Sequence, residues 1–400
     1  MTSRPEVAFV VQRYGPDVTG GSEALARAVA ERLTATHRVT VFTTCARDYV
    51  TWRNELAEGR EERDGVVVRR FPVEEERDLA AFNAFSETLY GQPHSAEDEL
   101  EWLRRQGPYV PRLVDALEEE ADRFAAAVFF TYLYYPTYWG LRAAPDRAIL
   151  VPTAHDEPPL RFGLYSEVFA LPRALAFLTP AEERLVRGRF DLGARPTQVA
   201  GMGVDVPESP DVSALRARHR IDRPWILYAG RIDAGKGCAE MLAFYERYRR
   251  TAEDPPDLVL IGRLALSGVE QPGVRYLGYL SEEEKAAAIA GARVVVCPSP
   301  YESFSIVLLE GMAHGVPGLV NGHSEVLKDH SLRSNAALFY DEGEEFGEAL
   351  DLLVRRAALR EALGVNGRAY VRKNYRWDVV LDRWRSLVEL VSSAGARPRR

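Results

Sequence analysis

The chain has 400 residues, more than a single hydrophobic core usually supports, so two domains are expected. Hydrophobic residues make up 46% and charged residues 28%, as in ordinary globular proteins, and the net charge of -8 argues against a dedicated nucleic-acid-binding protein. The three cysteines have no CxxC spacing, which favours a reducing compartment and argues against a structural zinc site.

The distribution of apolar and basic residues bears on where the protein is expected to reside. The N-terminus lacks the long apolar run of a signal peptide, and no apolar stretch approaches the length of a membrane span. We therefore expect a soluble, cytoplasmic protein. The basic residues 396–400 predict a solvated tail, with peripheral contact at the inner membrane face as the less favoured alternative.

The first half of the chain predicts one α/β domain. A buried strand at 7–11, a helix at 22–33 and a strand at 38–43 form a β-α-β unit, and such units build parallel, doubly wound sheets. Further strands are predicted at 66–70, 126–131, 148–152 and 174–178. The charged residues 74–120 have a helical pattern and predict an insertion of helices.

The second half repeats this alternation after a segment rich in Gly and Pro, residues 201–210, which predicts an inter-domain linker. Strands are predicted at 225–228, 258–261, 274–276, 294–297 and 318–320, and helices at 238–250, 281–291 and 377–391. We therefore predict an α/β protein of two Rossmann-like, doubly wound parallel-sheet domains. Ligands of such sheets bind at the carboxyl ends of the strands, so a cleft between the two domains is expected.

Two glutamates with seven residues between them, Glu302 and Glu310, follow the predicted strand 294–297. The first lies on a loop, and the second is expected about two turns inside a helix. Helical side chains lean toward the N-terminus, so Glu310 would reach a ligand above the helix start. Free amides near residues 304–306 attract an anion there. The pattern predicts a site for a diphosphate flanked by two sugar rings, as in a nucleotide sugar.

A cationic turn follows the predicted strand 225–228 and carries Arg231 and Lys236. A guanidinium suits two phosphate oxygens at once, whereas an ammonium acts as a point charge. Gly235 and Gly237 would let the backbone approach closely. The turn lacks a Walker A pattern, and by itself a solvated cationic turn is an equally good interpretation. Beside the glutamate pair, phosphate binding is favoured.

The loop before the first predicted helix contains Gly20 and Gly21. Its glycines could bring backbone amides close to a phosphate–sugar linkage. The structural alternative is a helix capped by the Ser22 side chain, with the glycines serving the geometry of the turn.

His155 lies at the end of the predicted strand 148–152, where it could bind a sugar hydroxyl or move a proton. A purely structural histidine is the less favoured alternative. The neighbouring Asp156 and Glu157 raise a third interpretation, a metal site. This is disfavoured because adjacent residues on a strand point to opposite faces.

Several other patterns have two interpretations of similar weight. The aromatic run 131–139 and the side chains of Tyr49, Trp52 and Trp102 could stack on acceptor sugars or fill the core. Gly278 and Leu280 could offer backbone groups to a nucleobase or form a tight turn. No Asp-x-Asp motif follows a hydrophobic strand, so the usual metal clamp for a sugar diphosphate is not evident.

With these motifs the chain resembles the family 4 glycosyltransferases of the GT-B fold, a retaining family of the Glu-x7-Glu type. In the second half the matching positions are Gly230-Arg231, Lys236-Gly237, Pro298-Ser299, Glu302, Glu310 and residues 311–317. In the first half they are Gly20-Gly21, His155-Asp156 and residues 203–205. The domains implied are 1–200 with a returning helix at 376–395, and 201–375.

The resemblance also implies roles for these residues. Arg231 and Lys236 would bind the donor diphosphate, Glu302 would hold hydroxyls of the donor sugar, and Glu310 those of the ribose. His155 would lie beside the reacting sugar. The predicted catalytic residues are thus His155, Arg231, Lys236 and Glu302, and the predicted donor-binding residues are Gly20, Gly21, Gly278, Leu280, Phe304, Ser305, Ile306 and Glu310. No metal and no cofactor beyond the nucleotide-sugar substrate are expected.

The reaction implied is a retaining, hexosyltransferase-like transfer from a nucleotide-diphosphate sugar to an acceptor hydroxyl by same-face attack. A nucleotide-sugar epimerase, a phosphorylase and a non-catalytic nucleotide-sugar-binding protein stay as alternatives. Where relatives often carry a Gly-Gly-x-x-Glu segment, this chain has Asn321-Gly-His-Ser-Glu325, so His323 and Ser324 are expected to alter a donor or acceptor contact. Residues 48–120 match no motif, so the acceptor stays open among a cell-surface polysaccharide, a lipid-linked sugar and a small molecule.

Overall fold

The structure, a computed structural model, describes residues 4–18, 20–205 and 209–395. The chain forms two compact units, Met1–Met202 together with Val380–Arg400, and Gly203–Val379. These boundaries lie a few residues from those expected, 1–200 with 376–395 and 201–375. The predicted tail 396–400 and part of the predicted linker, 206–208, lie outside the described residues.

The first unit is built on an eight-stranded sheet in the order β3-β4-β2-β1-β5-β6-β7-β8. Its strands are β1 (Glu6–Val10), β2 (Arg38–Thr44), β3 (Gly59–Arg63), β4 (Val66–Phe71), β5 (Ala126–Phe130), β6 (Ala148–Val151), β7 (Ala174–Phe177) and β8 (Thr197–Val199). All neighbours pair in parallel except β3, which runs antiparallel to β4. The central strand β5 is buried throughout, as parallel strands covered on both faces require.

Among the described residues up to Arg189, seven α-helices accompany this sheet: α1 (Gly21–Leu33), α2 (Leu79–Gly91), α3 (Ala96–Gln106), α4 (Pro111–Glu120), α5 (Tyr135–Ala143), α6 (Tyr165–Ala170) and α7 (Pro180–Arg189). Helices α2 to α4 confirm the predicted helical insertion. Strands β3 and β8 were not predicted. The first is fully exposed and charged, and the second is only three residues long, so neither has the apolar pattern of a core strand.

The second unit is built on a six-stranded parallel sheet in the order β11-β10-β9-β12-β13-β14. Its strands are β9 (Trp225–Ala229), β10 (Asp257–Ile261), β11 (Val274–Tyr276), β12 (Val295–Cys297), β13 (Gly318–Asn321) and β14 (Ala337–Tyr340). Its helices are α8 (Val212–His219), α9 (Cys238–Thr251), α10 (Glu282–Ala290), α11 (Ile306–His314), α12 (Glu325–Ser334), α13 (Gly343–Arg355) and α14 (Ala357–Asn374). The predicted α/β class with two doubly wound parallel sheets is confirmed.

The last helix, α15 (Trp377–Gly395), belongs to the first unit from Val380 onward. Its buried Trp384 donates an indole hydrogen bond to the Gly201 carbonyl at 3.2 Å and stacks on Phe130 at 6.3 Å. No helix in the described part of the chain is long and apolar enough to cross a membrane.

Strand order reverses direction at one place in each sheet. In the second unit the chain moves outward from β9 through β10 to β11, and then continues from β12 on the other side of β9. In the first unit the same reversal lies between β1 and β5. Ligands of open α/β sheets bind beside such reversals, at the carboxyl ends of the strands. The predicted site loops follow these strands.

Candidate functional site

Two loops of the second unit meet at the reversal between β9 and β12. Gly237 follows β9 with φ +71°, and a Cβ built on it would lie 2.2 Å from the carbonyl oxygen of Pro298, which follows β12. Only glycine fits so close to another backbone in this left-handed conformation. Asp233 fixes the first loop by accepting a hydrogen bond from the Lys236 amide at 2.8 Å.

The close approach of these loops brings a predicted cation to a predicted carboxylate. Lys236 Nζ lies 2.7 Å from Glu302 Oε1, and 33% of the lysine side chain and 20% of the glutamate side chain stay exposed. Arg231, on the same loop as Lys236, forms an ion pair with Asp233 and is more exposed. The two cations are therefore held in place by carboxylates while part of each stays accessible to an anion.

The start of α11 presents the predicted anion-binding amides. Its N-cap, Ser305, has a left-handed backbone with φ 64°, and among the described residues no side chain caps the helix. The first backbone hydrogen bond of the helix is donated by the Leu309 amide to the Ser305 carbonyl at 3.4 Å. The amides beginning at Ile306 are thus directed at the helix start, as anion binding requires.

Glu310 is the fifth residue of α11, slightly more than one turn inside the helix, so the predicted distance of two turns was wrong. The helix begins later than expected because Ser305 takes the left-handed conformation. Burial raises the pKa of Glu310, and the neighbouring Lys285 of α10 acts in the opposite direction. Sequence reasoning missed Lys285, which has no motif of its own.

His330 of α12 is a second residue that the sequence did not indicate. It is completely buried, and its Nε2 lies 3.0 Å from the carbonyl oxygen of Phe304, immediately before the α11 cap. Because a carbonyl only accepts, Nε2 carries the proton, and Nδ1 accepts a hydrogen bond from the Tyr370 hydroxyl at 3.0 Å. His330 therefore fixes the segment that precedes the anion-binding helix start.

Lowering the pH from 6.5 to 4 is expected to destabilise the fold through His330. Burial lowers the pKa of this histidine to about 4. Between pH 6.5 and 4 the histidine is therefore protonated in the unfolded chain and neutral in the folded chain. The neutral, buried His330 therefore stabilises the folded state fully above pH 6.5, the ordinary histidine pKa. As the pH falls to 4, the free energy of unfolding decreases by about 3 kcal/mol. Denaturant unfolding of wild type and His330→Gln at several pH values measures it. A stability difference that stays constant from pH 7 to 4 would contradict the assignment.

The predicted nucleobase segment follows β11 and is tied by a backbone hydrogen bond to the loop after β10. Gly278 has φ +80°, and its carbonyl accepts a hydrogen bond from the Gly262 amide at 2.8 Å. Leu280 is buried. Both interpretations of this segment, a tight turn and a contact with a nucleobase, stay predictions.

The departure from the family pattern at 321–325 has a structural role. The Asn321 side chain donates to the Pro298 carbonyl at 2.9 Å and accepts from the His323 amide at 2.9 Å. Ser324 caps α12 through the Leu327 amide at 3.4 Å. This segment thus supports the loop that precedes Glu302.

In the first unit, α1 begins at Gly21 with Gly20 as its N-cap, so the alternative of a Ser22 cap was wrong. Ser22 lies inside the helix, and its hydroxyl lies 2.8 Å from Thr131 Oγ1. A Cβ on Gly20 would lie 2.1 Å from Glu23 Oε2, which explains the glycine. Glu23 in turn forms a buried ion pair with Arg13, whose Nε donates at 2.9 Å.

Two threonines at the carboxyl ends of β5 and β6 have left-handed backbones. Thr131 has φ 67° and Thr153 has φ 50°, values that are rare for β-branched residues and that cluster at functional sites. Their hydroxyls lie 3.0 Å apart, so Ser22, Thr131 and Thr153 form a continuous hydroxyl chain. Sequence patterns do not reveal backbone strain of this kind.

His155 follows this strained position and contacts Glu157. Its Nδ1 lies 3.4 Å from Glu157 Oε1, which also accepts a hydrogen bond from the Tyr132 hydroxyl at 2.8 Å. Asp156 is exposed and lies 3.6 Å from Arg161. Among the described residues no group of His, Cys, Asp and Glu side chains could hold a metal ion.

A buried carboxyl that the sequence did not indicate fixes the His155 loop. Glu182 of α7 accepts hydrogen bonds from the Ala154 amide at 2.7 Å and from the Leu178 amide at 2.6 Å. Burial raises the pKa of Glu182 to about 8. The only sequence signal is its spacing from Thr179, a helix cap that accepts a hydrogen bond from the Glu182 amide.

The aromatic candidates belong mostly to the core. Trp52 and Trp102 are each 1% exposed, and their indoles bond to the Gln106 carbonyl and the Ser86 hydroxyl. The acceptor-side interpretation of these two tryptophans was therefore wrong. Tyr49 stays partly accessible at 36%.

Comparison with known proteins found a family model that matches most of the second unit. Residues 211–370 match the family model described as "Glycosyl transferases group 1". A phosphatidyl-myo-inositol mannosyltransferase from Mycobacterium leprae is 27% identical over 241 residues, which cover 55% of this chain and 63% of that relative. The chain thus spans less than two thirds of the length of this curated relative.

Two solved structures show the same fold at low sequence identity. A sucrose-phosphate synthase from Thermosynechococcus elongatus has a TM-score of 0.74 and 19% identity, covering 98% of this chain and all of that one. The HepE protein of Anabaena, solved with UDP and glucose, has a TM-score of 0.68 and 16% identity, with 97% and 100% coverage. Residues 211–370 thus resemble the group 1 glycosyltransferases, and the chain as a whole has the GT-B fold of these solved structures.

Proposed function

We propose that the protein transfers a sugar from a nucleoside-diphosphate sugar to an acceptor hydroxyl, with retention of the anomeric configuration. The observation that carries this proposal is the contact of Lys236 with Glu302 at 2.7 Å, beside the start of α11. A cation suited to phosphate and a carboxylate suited to sugar hydroxyls thus adjoin at one sheet reversal. The UDP and glucose of the solved HepE protein support a donor of this class.

Each part of the donor has a group of matching chemistry. Lys236, Arg231 and the amides at the start of α11 would bind the diphosphate, because all of them offer positive charge or N–H donors. Glu302 would accept hydroxyls of the transferred sugar, and Glu310 those of the ribose. His155, oriented by Glu157, would bind a hydroxyl of the reacting sugar.

The reaction we favour is attack on the same face as the leaving group. The acceptor oxygen bonds to the anomeric carbon, the bond from that carbon to the phosphate oxygen breaks, and the departing phosphate oxygen takes the acceptor's proton. Stabilisation of the leaving diphosphate by Lys236 and Arg231 is then the main chemical contribution.

Donor screening followed by product analysis tests this function. Thermal shift with UDP-, GDP- and ADP-linked sugars identifies the nucleotide, since a ligand that binds the folded state raises its apparent stability. NMR of the product then reads the anomeric configuration. An inverted product would overturn the retaining mechanism, conversion of donor without acceptor would indicate an epimerase, and binding without turnover across many acceptors would indicate a non-catalytic protein. Transfer from the donor to inorganic phosphate, in place of an acceptor hydroxyl, would indicate a phosphorylase.

Activity is expected to be independent of divalent metal. Lys236 and Arg231 already supply the positive charge that a bound Mg²⁺ would bring to a diphosphate. Initial rates with the identified donor should therefore change little when EDTA is added. Complete loss of activity in EDTA that magnesium or manganese restores would contradict this prediction.

A further inference from the structure

Lys285 of α10 lies against the second glutamate of the donor site. Its Nζ is 2.9 Å from Glu310 Oε1 and 2.6 Å from Glu282 Oε2. The Glu310 side chain is 14% exposed and the Lys285 side chain 24%, whereas Glu282 is 79% exposed. The contact of Lys285 with Glu310 is therefore better shielded from solvent than its contact with Glu282. Solvent screens the outer contact with Glu282 more strongly.

The two carboxylate oxygens of Glu310 have different surroundings. Oε1 accepts the hydrogen bond from Lys285, whereas Oε2 is buried and has no hydrogen-bond partner among the described residues. A buried acceptor without a partner costs free energy, which a ligand hydroxyl would recover. The ammonium therefore occupies one oxygen and leaves the other for a ligand.

The identity of the cation matters for this division. The sequence contains four lysines, Lys236, Lys285, Lys328 and Lys373, among 51 basic residues, and two of the four contact the two donor-site glutamates. A guanidinium pairs with both oxygens of a carboxylate, whereas an ammonium acts at one point. An arginine at 285 would cover the oxygen that the lysine leaves open.

The charge of Glu310 depends on the same contact. Burial raises the pKa of this carboxyl, the ammonium of Lys285 lowers it, and the carboxylates of Glu282 and Asp205 raise it further. Burial lowers the pKa of Lys285, whereas the carboxylates of Glu310 and Glu282 raise it. The carboxylates have the larger combined effect, so the pKa of the lysine is raised overall. At neutral pH Lys285 is thus charged and favours the ionised form of Glu310.

We propose that Lys285 is a positioning residue of the donor site, which holds Glu310 ionised with Oε2 directed at a ribose hydroxyl. The inference rests on the proposed function, because it takes a nucleoside diphosphate as the ligand. It adds a residue outside the motifs that define the site. In this view α10 contributes to donor affinity although Lys285 need not touch the nucleotide.

The test is titration calorimetry with UDP, GDP or ADP, whichever the wild-type protein binds, and with its counterpart lacking both ribose hydroxyls. Hydrogen bonds to charged groups predict that wild type prefers the complete nucleotide by at least about tenfold. Lys285→Met should weaken the complete nucleotide by a similar factor and bring the two ligands close together. Lys373→Met, an exposed lysine of α14, serves as the matched control and should behave as wild type.

The pH dependence separates positioning from simple packing. Since Lys285 lowers the pKa of Glu310, the loss of nucleotide affinity at acid pH should move to higher pH in Lys285→Met. Lys285→Arg keeps the charge, so nucleotide affinity should fall at the same acid pH as in wild type. Affinity should nevertheless be lower at every pH, because the guanidinium covers Oε2 of Glu310. Thermal unfolding of each variant shows that it is folded.

Three outcomes have distinct meanings. If wild type binds none of the three nucleotides, the proposed function fails together with this inference. If wild type binds one of them and binds its counterpart without ribose hydroxyls equally well, the contact of Glu310 with the ribose is wrong, whereas the proposed donor site is retained. If folded Lys285→Met retains wild-type affinity, discrimination and pH profile, the role of Lys285 is overturned.

Discussion

Replacing Lys236 with alanine is expected to lower kcat about 100- to 1,000-fold, the loss that follows removal of one charged or hydrogen-bonding group from a developing anion. Lys236 lies 2.7 Å from Glu302 and is held by a loop whose Gly237 touches Pro298. Its charge would therefore act on the leaving diphosphate without a costly rearrangement. Removing it also leaves Glu302 without its cation. Steady-state kinetics with the identified donor and acceptor measure the effect.

The control for this experiment is Lys373→Ala, which removes an exposed lysine of α14. It should leave kcat unchanged. A reduction below threefold in folded Lys236→Ala would exclude Lys236 from leaving-group stabilisation. A rise in KM at constant kcat would show that Lys236 binds ground and transition states equally.

Replacing Gly237 with alanine is expected to reduce kcat/KM about 100-fold, because displacing a catalytic group by 1 Å has effects of this size. The new Cβ would lie 2.2 Å from the Pro298 carbonyl oxygen, so the two site loops must separate. The left-handed backbone, with φ +71°, adds a cost of about 1–2 kcal/mol for a residue that has a Cβ. Kinetics and denaturant unfolding of the same preparation measure both consequences.

Gly235 provides the matched comparison two residues earlier. A Cβ there would meet only Asp233 Oδ1 at 3.4 Å, close to ordinary van der Waals contact. Gly235→Ala should therefore retain activity within a few fold. Equal losses in the two alanine variants would show that the contact of Gly237 with Pro298 does not position Lys236.

Sequence reasoning proposed site groups whose chemistry is local in the chain, and the structure brings Lys236 and Glu302 together. Lys236 and Glu302 follow predicted strands, and parallel topology explains why loops 66 residues apart meet at one sheet edge. The fold class followed from the alternation of apolar strands with helices. The exposed strand β3 and the three-residue strand β8 lacked that pattern and were missed, and the apolar strand β14 was missed as well.

The supporting residues could not be predicted because their roles depend on contacts made only in the folded chain. Lys285 reads as one charge on an amphipathic helix until it is seen 2.9 Å from Glu310. His330 and Glu182 bond to backbone atoms of distant loops, which no side-chain motif records. The acceptor-side prediction for Trp52 and Trp102 was wrong because an aromatic side chain in a sequence is equally compatible with a sugar-binding surface and with the hydrophobic core.

Thr131 and Thr153 have a consequence for how this molecule divides its stability. Each holds a left-handed backbone that costs on the order of 1–3 kcal/mol in a β-branched residue. Glycine adopts the same conformation without this penalty, although it would lose the hydroxyl chain to Ser22. Selection for thermostability alone should therefore replace these threonines, whereas selection for activity should keep them. Two left-handed, β-branched residues of the first unit thus lie at the carboxyl edge of its central strands, the edge at which open α/β sheets bind ligands.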